Sequence, residues 1–399
     1  MQIGRRSFLG ALAAGPALAA APLAARQDAP RVAHSSFDPW LEIRPDHLRH
    51  NVAQVSARVD GRPVLAVIKN NGYGLGVAEV AEVLDGEPAI AALAVVKLSE
   101  AAAIRERSIG KPILLMGPFG EDDLEEIVSR DVMPMVYTPI GDALERAAAR
   151  RGRPVAIHVC VDTGLGRVGV PYRSAAGLLR DLGARPGLRI EGVMTALSED
   201  PELDAEQVRR LQAVSDDVRA AGVETGRLHA ASSFALFQDE SLFLDMVRPG
   251  MALFGVYSEA PFREAEILDL RPAVALRARV AYVKQLRAGD TAGYNRAYVA
   301  DRDVWLATVP TGHADGWPRV TAQGARVRIG GSNYPIVASV SASHTLVELG
   351  PERAAEIGDV ATLFDWEPGS RPEDVSAACG ASVYDLLMHL GPLLPRRLV

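Results

Sequence analysis

Only four lysines, Lys69, Lys97, Lys111 and Lys284, stand among the 43 basic side chains of this 399-residue chain. Where a plain positive charge was needed the sequence used arginine, so a retained lysine asks for a chemical reason. A guanidinium stays protonated, whereas an amine partly withdrawn from water can lose its proton and attack an aldehyde. Lys69 is placed for that chemistry. It follows the aliphatic run Val64-Leu65-Ala66-Val67-Ile68 and precedes Asn70-Asn71-Gly72-Tyr73-Gly74. This puts it at the last position of a predicted strand, with a turn-prone loop beyond it. The bland alternative is a solvated lysine at a strand end, and the scarcity of lysine weighs against it.

The elements that position Lys69 read as a repeat. Short aliphatic runs at Val64 to Ile68, Ala92 to Val96, Ile113 to Met116, Met133 to Tyr137, Val155 to Val161, Ile190 to Thr195, Arg227 to Ala231 and Met246 to Phe254 alternate with helical patterns. One such helix covers Asp200 to Ala221, with Leu211, Val214 and Val218 at helical spacing. Strand and helix repeated about eight times predict an α/β fold, a (β/α)8 barrel of the TIM type over residues 38–257. The alternative is an open doubly wound sheet, but no G-x-G-x-x-G loop follows the first strand. From residue 258 the pattern changes to alternating strands with Gly and Asp turns, at Ala273 to Leu286, Val304 to Pro310, Ala325 to Ile329, Ile336 to Val340 and Val360 to Phe364. Residues 258–399 are therefore predicted to form a β-rich second domain.

Composition bounds the partners. With 48% hydrophobic and 23% charged residues and a formal net charge of −7, the chain reads as a soluble globular protein of two or three domains. No basic run suited to a phosphate backbone lies beyond the first residues, so nucleic acid is not an expected partner. Cys160 and Cys379 are too few for a disulfide framework and read as buried thiols. At the N-terminus, Arg5-Arg6-Ser7-Phe8-Leu9 precedes an Ala/Leu-rich stretch from Ala11 to Ala25. Residues 1–25 read as a twin-arginine-type signal peptide, predicting export, to the periplasm of a bacterium. A membrane anchor is the competing reading, but the stretch is interrupted by Pro16 and Pro22 and is shorter than the ~20 residues of a spanning helix. Twin-arginine signals suit proteins that fold around a cofactor before crossing the membrane.

The stretch Ala66-Val67-Ile68-Lys69-Asn70-Asn71-Gly72-Tyr73-Gly74 resembles the cofactor-lysine motif of the alanine racemase family, which pairs a pyridoxal-phosphate barrel with a β-domain. The resemblance continues, in the family's order, through Val161-Asp162-Thr163-Gly164-Leu165-Gly166-Arg167, Arg248-Pro249-Gly250-Met251-Ala252, Gly293-Tyr294-Asn295 and Gly312-His313-Ala314-Asp315-Gly316. It implies pyridoxal 5'-phosphate as cofactor, no metal, and an amino-acid racemase as function. It also implies that Lys69 holds the cofactor covalently and that Tyr73, Ser233, Gly250 and Met251 hold its phosphate. Hydroxyls and open backbone amides after the seventh and eighth strands suit a phosphate dianion. Arg248 resembles the arginine that faces the pyridine nitrogen; a guanidinium only donates, so the nitrogen stays unprotonated and the cofactor is a weaker electron sink. Arg167 resembles the arginine near the phenolic oxygen of the cofactor and the substrate.

Racemisation needs a proton taken from one face of the α-carbon and returned on the other, hence two bases. The resemblance implies Lys69 and Tyr294, the tyrosine reaching the barrel mouth of a partner subunit, so that a homodimer with shared sites is expected. Some positions depart from the family. Cys160 stands where members often carbamylate a lysine, Ala196 replaces a histidine, His313 replaces a tyrosine, Ala342 replaces a methionine, and Gly391 aligns with an entrance tyrosine. The first two changes remove the charge that positions Arg167 and the link that activates Tyr294, whereas Ala342 and Gly391 predict a pocket for side chains larger than methyl, with acids such as Asp315 facing a cationic head group and Phe234, Trp317 or Tyr334 as the aromatics that could refill the space. Another pyridoxal-phosphate reaction, such as that of a lyase or decarboxylase, or a low-turnover cofactor-binding protein, is the alternative.

Overall fold

The computed structural model describes residues 36–399. The predicted signal segment, residues 1–25, lies outside the described residues. The first strand, β1 (Trp40–Ile43), leads into a helix at Pro45–Arg58 and then into β2 (Val64–Val67). Beyond it come β3 (Ile90–Val95), β4 (Ile113–Leu115), β5 (Val132–Val136), β6 (Val155–Asp162) with the short β7 (Val170–Pro171) paired to its end, β8 (Leu188–Met194) and β9 (Arg227–His229). They pair in the order β2-β3-β4-β5-β6-β8-β9, all parallel. All four residues of β2 are buried, as expected of a parallel strand covered on both faces.

The barrel closes differently from the predicted eighth strand. Only Met246 and Val247 form bridges, to His229 on one side and Val64 on the other. Hydrogen bonds continue from Arg248 N–H to the Ala231 carbonyl (2.8 Å) and from Val67 N–H to the Pro249 carbonyl (2.9 Å). Proline has no N–H to extend that ladder, and the chain turns into a 3-10 helix at Met251–Phe254. The result is a (β/α)8 barrel whose last strand is a short extended segment.

Between the strands run helices at Val77–Asp85, Leu98–Glu106, Leu124–Ser129, Gly141–Arg151, Tyr172–Gly183 and Pro201–Ala220. The first buries Val77, Val80, Ala81 and Leu84, the spacing of one helical face. The last starts where Asp200 accepts from Glu202 N–H and Leu203 N–H and Pro201 takes the first turn.

The second sheet comprises β10 (Val274–Arg279), β11 (Tyr282–Leu286), β14 (Val304–Val309), β15 (Arg326–Ile329), β16 (Ser332–Val337), β17 (Thr345–Gly350), β18 (Val360–Phe364) and β19 (Arg396–Leu398), with β12 (Thr291–Ala292) and β13 (Tyr298–Val299) as a separate ribbon. Its order is β11-β14-β17-β16-β15-β18-β10-β1-β19. Three features differ from the sequence reading. The single run Ala273 to Leu286 is two strands, because β10 pairs with β18 while β11 pairs with β14. The run Ile336 to Val340 starts earlier, at Ser332. Residues 40–43, assigned by sequence to the barrel domain, belong to the second sheet, where Trp40 faces Arg277 and Ile43 faces Val274. Leu41 and Ile43 are fully buried there, and an isolated apolar strand carries no mark of its partner. Both cysteines are free and buried. Among the described residues no helix is long and apolar enough to cross a membrane.

Candidate active site

Lys69 leaves β2 into a turn of unusual hand. Asn70, Asn71, Gly72 and Tyr73 have φ of 54°, 57°, 62° and 52°, so the chain makes one turn of left-handed helix. Asparagine and glycine are the residues that tolerate this region, which explains why Asn-Asn-Gly follows the lysine. A buried carboxylate pins the turn: Glu100 accepts from Asn71 N–H (2.8 Å), Val96 N–H (3.1 Å) and Lys97 N–H (3.2 Å). Asn71 Oδ1 in turn accepts from Val77 N–H at 3.1 Å. The turn thereby aims Lys69 into a cleft at the carboxyl ends of the strands, the end where barrels place their chemistry.

That cleft has a volume of about 470 Å³ and brings together Lys69, Tyr73, Arg167, Ser233, Arg248, Gly250 and Met251. Burial pushes the Lys69 amine below its ordinary pKa and the Arg167 guanidinium adds to this, while Glu100 opposes it. Arg167 stands exposed on the loop after β6, whose start is folded back by Asp162, accepting from Gly164 N–H (3.0 Å) and Gly166 N–H (3.1 Å). Tyr73 is buried against Phe254, ring centroids 4.9 Å apart, and burial raises its phenol pKa. A Cβ on Gly250 would collide with that phenol. Ser233 Oγ accepts from Gly250 N–H (2.9 Å) and Ala252 N–H (3.1 Å), which leaves its own proton to donate.

Arg248 is buried to 7% exposure, and burial lowers its pKa to about 10, so it stays charged at neutral pH. Its Nη2 donates to the Thr195 carbonyl (2.7 Å) and its Nη1 to His229 Nδ1 (3.1 Å). His229 Nε2 lies 2.9 Å from His158 Nδ1. Because a guanidinium only donates, His229 accepts at Nδ1, carries its proton on Nε2 and donates that N–H to His158 Nδ1. Both imidazoles are neutral: burial, then Arg248, drives His229 well below its ordinary pKa and His158 down to about 4. Each histidine lies inside a predicted apolar strand, a signal that the sequence reading passed over.

Tyr294 is not among the residues lining this cleft; it is 78% exposed, on a 3-10 turn at Tyr294–Arg296. Gly391 does not line the cleft either, whereas Tyr384 and Met388 do, from the helix Val383–Met388 of the second domain. The mouth thus keeps a phenol, seven positions before the expected one. Tyr384 was hidden because nothing in a six-residue helix near the C-terminus says which face meets the barrel. Asp315, the expected acid, caps its own turn by accepting from Gly312 N–H (2.9 Å). The acid that lines the cleft is Glu199. Of the three aromatic candidates for refilling it, Phe234 lines the cleft, Trp317 is fully buried elsewhere and Tyr334 lies in β16.

These groups fit pyridoxal phosphate: a neutralisable amine for an aldehyde, a hydroxyl and a glycine for the phosphate, and a buried guanidinium. The family profile "Alanine racemase, N-terminal domain" matches residues 43–258 and "Alanine racemase, C-terminal domain" matches residues 273–398. The chain belongs to the alanine racemase family. With that family it is a pyridoxal-phosphate-dependent racemase, an isomerase. An alanine racemase of Desulforamulus reducens is 30% identical over 365 residues, covering 90% of this chain and 98% of that protein. One from Edwardsiella ictaluri is 34% identical over 348 residues, covering 86% and 93%. Among solved structures, an alanine racemase from D-cycloserine-producing Streptomyces lavendulae superposes with a TM-score of 0.86 at 28% identity, covering 92% of this chain and 98% of that one.

Proposed function

We propose that the chain interconverts L- and D-amino acids with two bases, Lys69 and Tyr294 of the partner subunit, and accepts side chains larger than methyl. The observation that carries the reading is Lys69, held by a strained turn, facing Arg248 and the Ser233–Gly250 cradle across one cleft. Pyridoxal phosphate, bound at Lys69, makes the α-hydrogen of a captured amino acid acidic. On one face of the α-carbon the Lys69 amine, its pKa lowered by burial and then by Arg167, would take or return that proton. Arg248, held by Thr195 and the neutral His229, can donate but not accept, so facing the cofactor's ring nitrogen it would favour the unprotonated ring. Tyr294 is exposed and away from its own chain's cleft, which supports its serving another copy in a homodimer. The cleft volume of about 470 Å³, with Met194, Leu197 and Phe234 among its lining, supports a substrate larger than alanine.

The test is incubation of the purified protein with a panel of L-amino acids followed by chiral chromatography, with borohydride reduction and peptide mapping alongside. Appearance of D-enantiomers and a pyridoxyl group on Lys69 are expected; a modified Lys97, Lys111 or Lys284 overturns the assignment. We also propose export by the twin-arginine route on the strength of Arg5-Arg6. Replacing both by lysine should retain the protein in the cytoplasm of a bacterial host, as read by fractionation.

A further inference from the structure

Resting on the racemase reading, we propose that Glu199 selects substrates whose side chain ends in a cation, a diamino or guanidino acid, by meeting that group at the rim of the cleft. Glu199 lines the same cleft as Lys69. Among the described residues its carboxylate makes no ion pair, and Arg167, the cation that acts on it, acts on Lys69 as well.

The position of Glu199 is built rather than incidental. Its φ of 66° is a region that residues with side chains seldom occupy. The loop is held there from below by the helix Pro201–Ala220. Asp204, fully buried, accepts on Oδ1 from Ser198 N–H (2.8 Å), Ser198 Oγ (2.9 Å) and Glu199 N–H (3.1 Å). Gln207 accepts from Ser198 N–H and donates to the Ala196 carbonyl, both at 2.9 Å. None of these bonds uses the Glu199 side chain, which is left for a ligand.

Other carboxylates stand near Glu199, with Arg167 acting against them. Asp204 Oδ2 is buried with no hydrogen-bond partner, and Asp204, like Glu199, forms no ion pair among the described residues. Glu259 adds a third carboxylate whose field reaches Glu199 and Tyr384. Partial burial, then Asp204 and Glu259, push the Glu199 carboxyl above its ordinary pKa against the pull of Arg167, and a further cation placed there would favour the charged carboxylate. The same cleft is lined by Met194, Leu197 and Met388, apolar surface suited to the methylenes that join a terminal cation to the α-carbon.

The experiment compares kcat/KM of the holoenzyme for L-lysine, L-arginine and L-methionine, the last a long side chain without charge. Wild type should favour lysine or arginine over methionine. Glu199→Gln should lower the lysine-to-methionine ratio about three- to tenfold, within the range for an exposed to half-buried ion pair, and the loss should fall on KM for lysine. Glu199→Arg should depress lysine further and raise turnover of L-glutamate. Methionine turnover without a preference for basic substrates, or an equal fall for both in Glu199→Gln, overturns the role of Glu199 and leaves the racemase standing. If no amino acid is racemised by wild type, the racemase reading fails and this inference falls with it.

Discussion

Replacing Glu100 by glutamine tests whether the left-handed turn after β2 sets the position of Lys69. Glu100 is buried and is not among the residues lining the cleft, yet its two oxygens accept from three backbone N–H groups, one of them Asn71. Glutamine keeps one acceptor and turns an amide NH2 toward at least one of those donors. The loss is at least one charge-assisted bond, about 1.5–3 kcal/mol. Against it stands the strain of the turn: Asn70, Asn71 and Tyr73 are non-glycine residues at positive φ, each costing about 1–2 kcal/mol, less for asparagine. The two terms are of similar size, so without Glu100 the turn opens in a sizeable fraction of molecules. The expected result is a lower urea midpoint and a fall in kcat/KM of about tenfold or more. A second readout separates position from charge. Glu100 raises the pKa of Lys69, so if charge alone mattered, its removal would leave more free amine and speed capture of pyridoxal phosphate by apoprotein. Misplacement of the lysine slows that capture instead. Faster capture with unchanged stability would refute the reasoning.

Two other outcomes are expected. Tyr294→Phe should keep the bound cofactor's visible absorbance while slowing racemisation about 10²- to 10⁴-fold; undiminished exchange of the α-hydrogen would remove Tyr294 from the mechanism. The neutral pair His158 and His229 should make stability depend on pH. Their folded pKa values lie below the unfolded one, so the unfolded chain binds more protons below about pH 6.5 and stability falls as pH drops toward about 4. For His158, with a folded pKa of about 4, the loss at pH 5 relative to pH 8 is about 2 kcal/mol. Urea titrations of wild type and His158→Asn at both pH values read it, and equal slopes in the two proteins would contradict the assignment of His158.

Some of the site was legible because it is local in the chain. Lys69 at the end of an aliphatic run, in a chain otherwise short of lysine, needed no partner to be noticed, and Asn-Asn-Gly already carried the preference for positive φ. The barrel was legible for a similar reason, since each strand and helix declares itself by its own period and the repeat then dictates a closed parallel sheet. The strand β17 was equally legible, with buried and half-buried residues alternating from Thr345 to Gly350, and was passed over.

What only the tertiary structure decided is what depends on contacts between distant segments. No local pattern says that β1 pairs with β10, more than 230 positions later, or that the eighth strand shortens because Pro249 ends its ladder. The helix Val383–Met388 brings Tyr384 and Met388 over a lysine more than 300 positions away. Glu100, His158, His229 and Asp204 read in sequence as an ordinary helix acid, two strand histidines and a helix aspartate. They acquire roles because folding removes water from them, and a buried polar group must then find its partner wherever the chain brings one. The sequence therefore determined which residues are able to do the chemistry, and burial in the folded chain decided which of them are held where they can do it.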